Sequence, residues 1–277
     1  MAISYSHKQR GLSLNRTLTP APTPDGFRMH NHTSMEVYCF LGGKGIYHIE
    51  GSEYPLEPGD VLIMHPSESH YIDLDCTVPY ERIVLNFTEE FLAPIDPEGW
   101  LLRPFRDRPA GKFNLYKSEE LPGGSLSYFD AMTAGGDAQV NILCGLLPLL
   151  RQIRLLWQSR AEEADTPGET LEYRIIRHVN RNLTGHLTLE DICEKYYISR
   201  SQLCRLFKKA TGTTLWNYVT VKRLALAREL LAKGGQPTHI YTRCGFADYS
   251  TFYRDYKTVF GHSPSHESEF TAPIQLS

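Results

Sequence analysis

Apolar and polar positions alternate over short runs in the first part of the chain. Between residues 26 and 87, runs such as MEVYCFL, GIYHIE, VLIMH and ERIVLNF are separated by Gly, Pro and Asp. Short β-branched or aromatic runs broken by turn residues at close intervals are typical of an antiparallel sandwich or barrel. We therefore predict an antiparallel β domain that begins near Gly26 and extends to about Phe87.

Helical spacing replaces this alternation further along the chain. Residues 138–160, AQVNILCGLLPLLRQIRLLWQSR, form a long apolar stretch that Pro148 is expected to kink or divide. The following segment, AEEADTPGET, is polar and contains a Pro-Gly pair, which favours a domain boundary there. We predict helices throughout the remainder. The expected fold class is α+β with two domains, residues 1–165 and 166–277.

A fourteen-residue pattern occurs twice in the helical half. SRSQLCRLFKKATG at 199–212 returns as DYSTFYRDYKTVFG at 248–261, with a constant offset of forty-nine residues. Each copy of a repeat should be one structural unit. In both copies a capping residue, Ser199 or Asp248, precedes a helix with one apolar and one basic face. A short helix, a turn such as that at Gly245 and this second helix form a helix-turn-helix, whose second helix fits the major groove.

The outward faces of these two helices supply the candidate DNA contacts. Arg205 is placed to address a guanine edge or a phosphate, and Lys208 to address a phosphate. The helix predicted between the copies, from Leu215 to Lys233, would hold both recognition helices at the spacing of successive major grooves, about 34 Å. The predicted DNA-binding set is Arg200, Ser201, Gln202, Cys204, Arg205, Lys208, Lys209, Tyr249, Ser250, Thr251, Tyr253, Arg254 and Lys257.

Charge is distributed unevenly between the two predicted domains. The net charge is -3, but residues 166–277 carry 15 Lys and Arg against 10 Asp and Glu, and residues 1–165 carry 14 against 22. A basic half joined to an acidic half indicates a polyanionic partner for one domain only.

Residues 171–269 resemble the DNA-binding domain of the AraC/XylS family of bacterial transcription regulators. The resemblance implies double-stranded promoter DNA and RNA polymerase as partners, a homodimer, and activation of carbohydrate-utilisation genes. Two features depart from the family pattern, Tyr241 beside Ile240 and the segment HESEF after Pro264. The matching positions are Ser199, Leu203, Arg205, Phe207, Lys208, Gly212, Tyr218, Arg223, Leu224, Ala227, Leu230, Leu231, Ile240, Gly245, Phe246, Phe252, Arg254, Tyr256, Lys257, Gly261 and Pro264.

A second constellation lies in the β domain. His30, His32 and Glu36 occur as H-x-H-x-x-x-E before a strand, and His70 ends the stretch PGDVLIMHPSESH. The pattern resembles a cupin barrel, whose two motifs supply three His and one Glu to a metal. We favour a sensor pocket for a small polyhydroxylated effector such as a sugar, with Tyr38 as a further lining residue.

Arg82, on a strand next to that of Tyr38, is a second candidate lining residue. Two alternatives stay open for the four motif residues. They could hold iron, manganese, nickel or zinc in a metal-dependent cupin enzyme or metal sensor, or they could be ordinary polar lining. We expect no catalytic residues and no required cofactor, with a divalent metal in the pocket as an option.

Composition adds limits on location. The 277 residues are 41% hydrophobic, enough for two soluble cores. No stretch approaches the roughly 18 uninterrupted apolar residues of a membrane helix, and the N-terminus lacks the apolar run of a secretory signal. The six cysteines show no C-x-x-C spacing, which makes disulfides and a zinc finger unexpected. The predicted location is the cytoplasm, with dimer contacts along residues 142–157.

Overall fold

In the described part of the N-terminal half, the strands form two antiparallel sheets. The computed structural model describes residues 2–23, 27, 29–30, 32, 34–66, 68–163 and 170–269, so Gly26 and the domain boundary predicted at 165 lie outside the described residues. The strands are β1 Ala2–Gln9, β2 Leu12–Thr19, β3 Met35–Gly42, β4 Gly45–Ile49, β5 Ser52–Pro55, β6 Val61–Met64, β7 His70–Leu74, β8 Tyr80–Phe87 and β9 Leu115–Tyr116. One sheet has the order β1-β2-β8-β3-β6-β9 and the other β5-β4-β7.

Each face of the larger sheet buries its own set of side chains. On β8, Ile83 and Leu85 pack in the core shared with the helices, whereas Tyr80 belongs to the core shared with the smaller sheet. This two-residue alternation is the period that the sequence predicts for a strand covered on both faces. The space between the sheets therefore has an aromatic lining, in which Tyr38, Phe40 and Tyr47 also lie.

The first hairpin was not anticipated from the sequence. Strands β1 and β2 pair with each other around Gly11, which has a positive φ of 75°. Strand β2 also pairs with β8 along its whole length, from Leu12 opposite Phe87 to Thr19 opposite Tyr80. The large sheet is thus extended by two strands that precede the predicted β domain.

Helices cover the outer face of this sheet. They are α1 Glu89–Leu92, α2 Arg103–Arg106, α3 Ser125–Thr133 and α4 Ala138–Glu163, with a 3-10 turn at Ser118–Glu120. Helix α4 runs without interruption through Pro148, so the division considered for this proline does not occur.

Helix α4 also meets the length and hydropathy criteria for a membrane span. Residues 138–160 have a mean hydropathy of 1.3 in their most apolar window, and 39% of that window is buried inside the protein. The criterion applied to the sequence, a run of about 18 uninterrupted apolar residues, does not detect this helix because polar residues interrupt the run. Its buried side chains, including Ile142, Leu146 and Ile153, belong to the core beneath the large sheet.

Within residues 170–269, six helices and a final 3-10 turn form the C-terminal half. They are α5 Leu171–Arg181, α6 Leu189–Tyr196, α7 Arg200–Thr211, α8 Leu215–Ala232, α9 Pro237–Arg243 and α10 Tyr249–Phe260, followed by Pro264–Glu269. One core contains Leu203, Phe207 and Tyr218, and a second contains Phe252 and other residues of the later helices. Helix α8 contributes to both cores. Each copy of the sequence repeat is therefore one packed unit, as predicted.

Candidate functional site: two recognition helices and a buried polar cluster

Helices α7 and α10 begin and end in the same way. The Ser199 hydroxyl accepts a hydrogen bond from the backbone N–H of Gln202 at 3.2 Å, and the Asp248 carboxylate accepts one from Thr251 at 2.8 Å. Each helix ends at a glycine in the left-handed conformation, Gly212 with φ 73° and Gly261 with φ 77°. Only glycine adopts this conformation without a Cβ penalty, which explains its place in both copies.

Most of the predicted DNA contacts are exposed on these two helices. Arg205 and Lys208 lie on the solvent face of α7. Arg200, also exposed, forms an ion pair with Glu190 of α6. Tyr249 differs, because it is half-buried and its ring centroid lies 5.9 Å from that of Phe252. Thr251 is half-buried as well, and the remaining exposed members are Ser201, Gln202, Cys204, Lys209, Ser250, Tyr253, Arg254 and Lys257.

Arg223 of α8 connects the two helix-turn-helix units. Its Nε donates a hydrogen bond to the carbonyl of Leu183, in the loop before α6, at 2.7 Å. Gly245, the turn of the second unit, lies against the same guanidinium, and a Cβ there would sit 2.9 Å from Nε. The close approach and a φ of 88° both require glycine at position 245. This contact holds the two units together.

The two departures from the family pattern both have packing roles. The ring of Tyr241 lies 5.7 Å from that of Tyr249 and 6.5 Å from that of Phe252, so its bulk extends the second core. Glu267, within the HESEF segment, is buried and accepts hydrogen bonds from Arg228 at 2.6 Å and from the Tyr256 hydroxyl. These contacts fasten the last turn onto α8 and α10.

A cluster of ionisable side chains is buried between the two sheets. His32, Glu36 and His70 each place one potential ligand atom within 4.8 Å of the other two. Nε2 of His32 lies 2.7 Å from Oε2 of Glu36. His30 exchanges two backbone hydrogen bonds of 3.0 Å with His70, and its ring centroid lies 4.3 Å from that of His70. The structure thus brings three of the four motif residues into one cluster and places His30 beside it.

Backbone carbonyls fix the tautomers of the two histidines in this cluster, His32 and His70. Nδ1 of His32 lies 2.8 Å from the carbonyl oxygen of Ser34, and Nδ1 of His70 lies 2.8 Å from that of Glu68. A carbonyl only accepts, so both Nδ1 atoms carry a proton, and in the neutral ring Nε2 holds the lone pair. A histidine that binds a metal through one ring nitrogen usually donates the N–H of the other to such a carbonyl.

The two rings differ in their preferred charge. Burial lowers the pKa of His70 well below its ordinary value, and the nearby His30 and His32 lower it further. Burial also disfavours a charged His32, but the charge and hydrogen bond of Glu36 outweigh this and raise the pKa of His32. Nε2 of His70 is buried and has no hydrogen-bond partner among the described residues. Within the described part of the chain, the cluster therefore places the unpaired Nε2 of His70 beside the imidazole and carboxylate pair of His32 and Glu36.

Tyr38 and Arg82 lie on neighbouring strands, β3 and β8, as predicted. The Tyr38 hydroxyl lies 2.7 Å from that of Tyr80, and its ring centroid lies 4.8 Å from that of Tyr47, which in turn stacks on His70. The Arg82 guanidinium lies 4.7 Å from the centre of the Tyr80 ring, and its buried Nη1 has no hydrogen-bond partner in the residues that the structure describes. Both residues thus belong to an aromatic network that reaches the cluster.

Glu68 and Arg108 support the cluster but were missed in the sequence. Besides orienting His70, Glu68 accepts hydrogen bonds from the backbone N–H groups of His65 at 2.8 Å and Gly111 at 2.9 Å. Its carboxylate pairs with Arg108, and both side chains are buried. Desolvation would raise the pKa of Glu68, but the Arg108 guanidinium and the backbone donors hold it low. Forty residues separate the pair, and no local pattern marks either partner.

Comparison with known proteins identifies both halves. A family model for an AraC-like ligand binding domain matches residues 21–138, and one for a helix-turn-helix domain matches residues 192–269. The chain belongs to the AraC family of transcription regulators. The predicted family, fold class and role in DNA-binding regulation are therefore confirmed.

Relatives of this AraC family regulator match it over most of its length. It is 25% identical over 248 residues to the HTH-type transcriptional activator RhaS of Salmonella arizonae, with 86% of each chain covered. It is 23% identical over 244 residues to the XylDLEGF operon transcriptional activator 1 of Pseudomonas putida, with 84% of this chain and 74% of that protein covered. The structure of ToxT from Vibrio cholerae strain SCE256 with a bound unsaturated fatty acid is 15% identical in sequence. The match covers 94% of this chain and 95% of that chain, with a TM-score of 0.38.

Proposed function

We propose that this regulator activates transcription in response to a small effector held between its two sheets, and that it contacts promoter DNA through α7 and α10. The observation that carries the effector site is the buried cluster of His32, Glu36 and His70. Buried polar atoms normally have a hydrogen-bond partner, and Nε2 of His70 has none within the described protein. A bound molecule would supply that partner. Activation is supported by the names of the relatives, which are transcriptional activators.

The effector class that we propose is a carbohydrate. Each hydroxyl group of a sugar donates one hydrogen bond and can accept others, so one hydroxyl can donate to Nε2 of His70, a second can donate to the Glu36 carboxylate, and either can accept from Arg82. The rings of Tyr38 and Tyr47 offer flat apolar surfaces to a sugar ring. His30, beside His70, completes the proposed lining.

A divalent metal is the second candidate for the same residues. Nε2 of His70, Nε2 of His32 and a Glu36 oxygen form a nitrogen and carboxylate donor set that suits zinc, iron, manganese or nickel. His30, whose ring centroid lies 4.3 Å from that of His70, would be the fourth ligand. A bound ion would supply Lewis acidity for an effector oxygen, whereas the protein residues would orient it. Occupancy would make the chain a metal sensor, or an enzyme attached to a DNA-binding domain.

Substitution of His32 separates these possibilities. The assay uses a reporter gene behind a promoter that the purified protein retains from genomic DNA, and measures expression with each of a panel of sugars. We expect His32→Ala to abolish the response to the sugar and to retain DNA binding, because the two activities lie in different parts of the chain. His7→Ala, on β1, is the matched control and should respond normally. Metal analysis of the purified full-length proteins tests the second candidate, since His32→Ala should then lose a stoichiometric ion. A normal response with unchanged metal content would leave these residues as polar lining.

We further propose that the regulator is a cytoplasmic homodimer that recruits RNA polymerase and performs no catalysis. The outer side of α4 supports the dimer, because Val140 is 55% exposed and Leu155 is 39% exposed. An apolar cleft on this helix is lined by Val140, Leu143, Cys144, Leu147 and Pro148. A turnover screen of the purified protein tests the absence of catalysis.

A further inference from the structure

The tip of the β4–β5 hairpin reaches from the sensor half into the DNA-binding half. Glu50 and Gly51 join Ile49 to Ser52, and both have positive φ angles, 48° and 83°. This is the pattern of a type I′ turn, which favours Asn, Asp or Gly at the position that Glu50 occupies. A Cβ at Gly51 would lie 2.4 Å from Cδ1 of Ile176 in α5. A glutamate is therefore held in a strained conformation where the hairpin packs against α5.

The carboxylate of Glu50 makes most of its hydrogen bonds to side chains of the DNA-binding half. Its Oε2 accepts hydrogen bonds from Nδ2 of Asn180 at 2.8 Å and from the Tyr218 hydroxyl, and its Oε1 accepts one from Nζ of Lys222. The side chains of Glu50 and Lys222 are only 1% and 9% exposed. A buried carboxylate needs a charged or hydrogen-bonding partner, and these partners lie on α5 and α8. Separation of the two halves would leave Glu50 without them.

The same residue is bonded to the backbone next to the buried cluster. Oε1 of Glu50 accepts a hydrogen bond from the Ser69 N–H at 2.7 Å, and the Glu50 N–H donates to the Ser69 carbonyl at 3.1 Å. Ser69 directly precedes His70, whose ring lies in the cluster. Strand β7, which begins at His70, makes a second contact with the DNA-binding half. The Tyr71 hydroxyl donates a hydrogen bond to the carbonyl of Lys209 in α7 at 3.2 Å.

We propose that Glu50 couples the effector site to α8, the helix that connects the two recognition units. A ligand that moves His70 also moves Ser69, and Glu50 transmits that change to Lys222 and Tyr218. Arg205 and Arg254 remain exposed in this arrangement, so the contact acts on the placement of the recognition helices and does not cover them. The link to a ligand rests on the proposed function, whereas the contact between Glu50 and α8 does not.

Hydrogen exchange of the full-length protein tests this coupling without knowledge of the effector. The probe is a promoter duplex that the protein retains from genomic DNA. Because thermodynamic coupling is reciprocal, binding of this duplex should change the amide exchange rates of residues 68–74 by roughly 5-fold or more in the wild type. Lys222→Met removes the ammonium and keeps the apolar stem. We expect this variant to bind the duplex and to lose the change at 68–74. Lys233→Met, an exposed position at the end of α8, is the matched control and should behave as wild type.

Two results would overturn the proposal: no DNA-dependent change at 68–74 in the wild type, or the full change in Lys222→Met. If Lys222→Met does not fold, Tyr218→Phe replaces it in the test, because this substitution removes one hydroxyl and keeps the buried ring. Retention of the full exchange change at 68–74 in Tyr218→Phe would then reject the coupling. A failure of the effector site itself would show as a normal effector response in His32→Ala. That result is independent of the exchange data.

Discussion

Arg205 and Lys208 are both exposed on α7, but they offer different chemistry to DNA. The planar guanidinium of Arg205 can make two hydrogen bonds to one guanine, whereas the ammonium of Lys208 is a point charge suited to a phosphate. We expect Arg205→Ala to cost about 1 to 3 kcal/mol on the cognate site and to relax the preference at one base pair. Lys208→Ala should weaken binding to all sequences alike. Titration of cognate and random duplexes measures both effects.

The exposed Lys233 provides the control for this pair. It forms an ion pair with Glu229 at 2.6 Å at the end of α8, so Lys233→Ala should leave both affinities unchanged. If Arg205→Ala lowers the affinity for cognate and random DNA equally, Arg205 contacts a phosphate and not a base.

Glu267 should contribute to stability, because its carboxylate neutralises Arg228 in a buried site. The two side chains are each 5% exposed, and the Tyr256 hydroxyl donates to the same carboxylate. Removal of one partner of a buried ion pair costs about 3 to 5 kcal/mol. We expect Glu267→Ala to lower the free energy of unfolding by this amount in denaturant titrations. Glu229→Ala, which removes an exposed carboxylate, should stay within about 0.5 kcal/mol of wild type; equal effects would contradict the role of Glu267.

Sequence reasoning succeeded for residues whose partners are close in the chain. The caps Ser199 and Asp248 were predicted because each bonds a backbone N–H three residues later. Lys222 lies 172 residues from Glu50, and nothing local in the sequence indicates that pairing. The cluster at His32, Glu36 and His70 was anticipated only because a motif resembles a known barrel.

At the scale of elements, the sequence predicted best where periodicity and composition agree. The helix expected from Leu215 to Lys233 is observed as Leu215–Ala232, since strong helix formers fill it without Gly or Pro. The β1–β2 hairpin was missed although Leu12 and Leu14, two residues apart, are both buried. That alternation is brief and lies before the segment with clear turn residues. Pro148 did not divide α4, so packing of the helix against the core overrides the local cost of proline.

The outer side of α4 should decide the oligomeric state. Cys144 is exposed within the apolar cleft, so Cys144→Glu places a charge there without disturbing the buried face. We expect the wild type to dimerise and Cys144→Glu to shift towards monomer in sedimentation equilibrium. Gln139→Glu, exposed on the same helix but outside the cleft, should remain dimeric. A wild type that stays monomeric at all concentrations would place no dimer contact on α4.

At the scale of the whole molecule, the DNA-binding half has its own hydrophobic cores. Both cores of the repeated units consist of residues after position 170, and this half carries the excess of basic residues. A fragment of residues 166–277 should therefore bind promoter DNA alone. With roughly 6 to 10 phosphate contacts, its affinity should fall about 10³- to 10⁵-fold between 50 and 200 mM salt. Absence of any gel retardation of promoter DNA at low salt would reject this independence.

Sequencing of the genomic DNA fragments that the full-length protein retains tests the central claim most directly. A regulator with two recognition helices on one chain should enrich a recurring site with two half-sites about 10 base pairs apart, the distance between successive major grooves on one face of the duplex. The retained fragments should lie upstream of genes, and Arg205→Ala should lose the preference at one position of one half-site. Retained fragments that share no sequence, with the same recovery for Arg205→Ala, would contradict the assignment of this protein as a sequence-specific regulator.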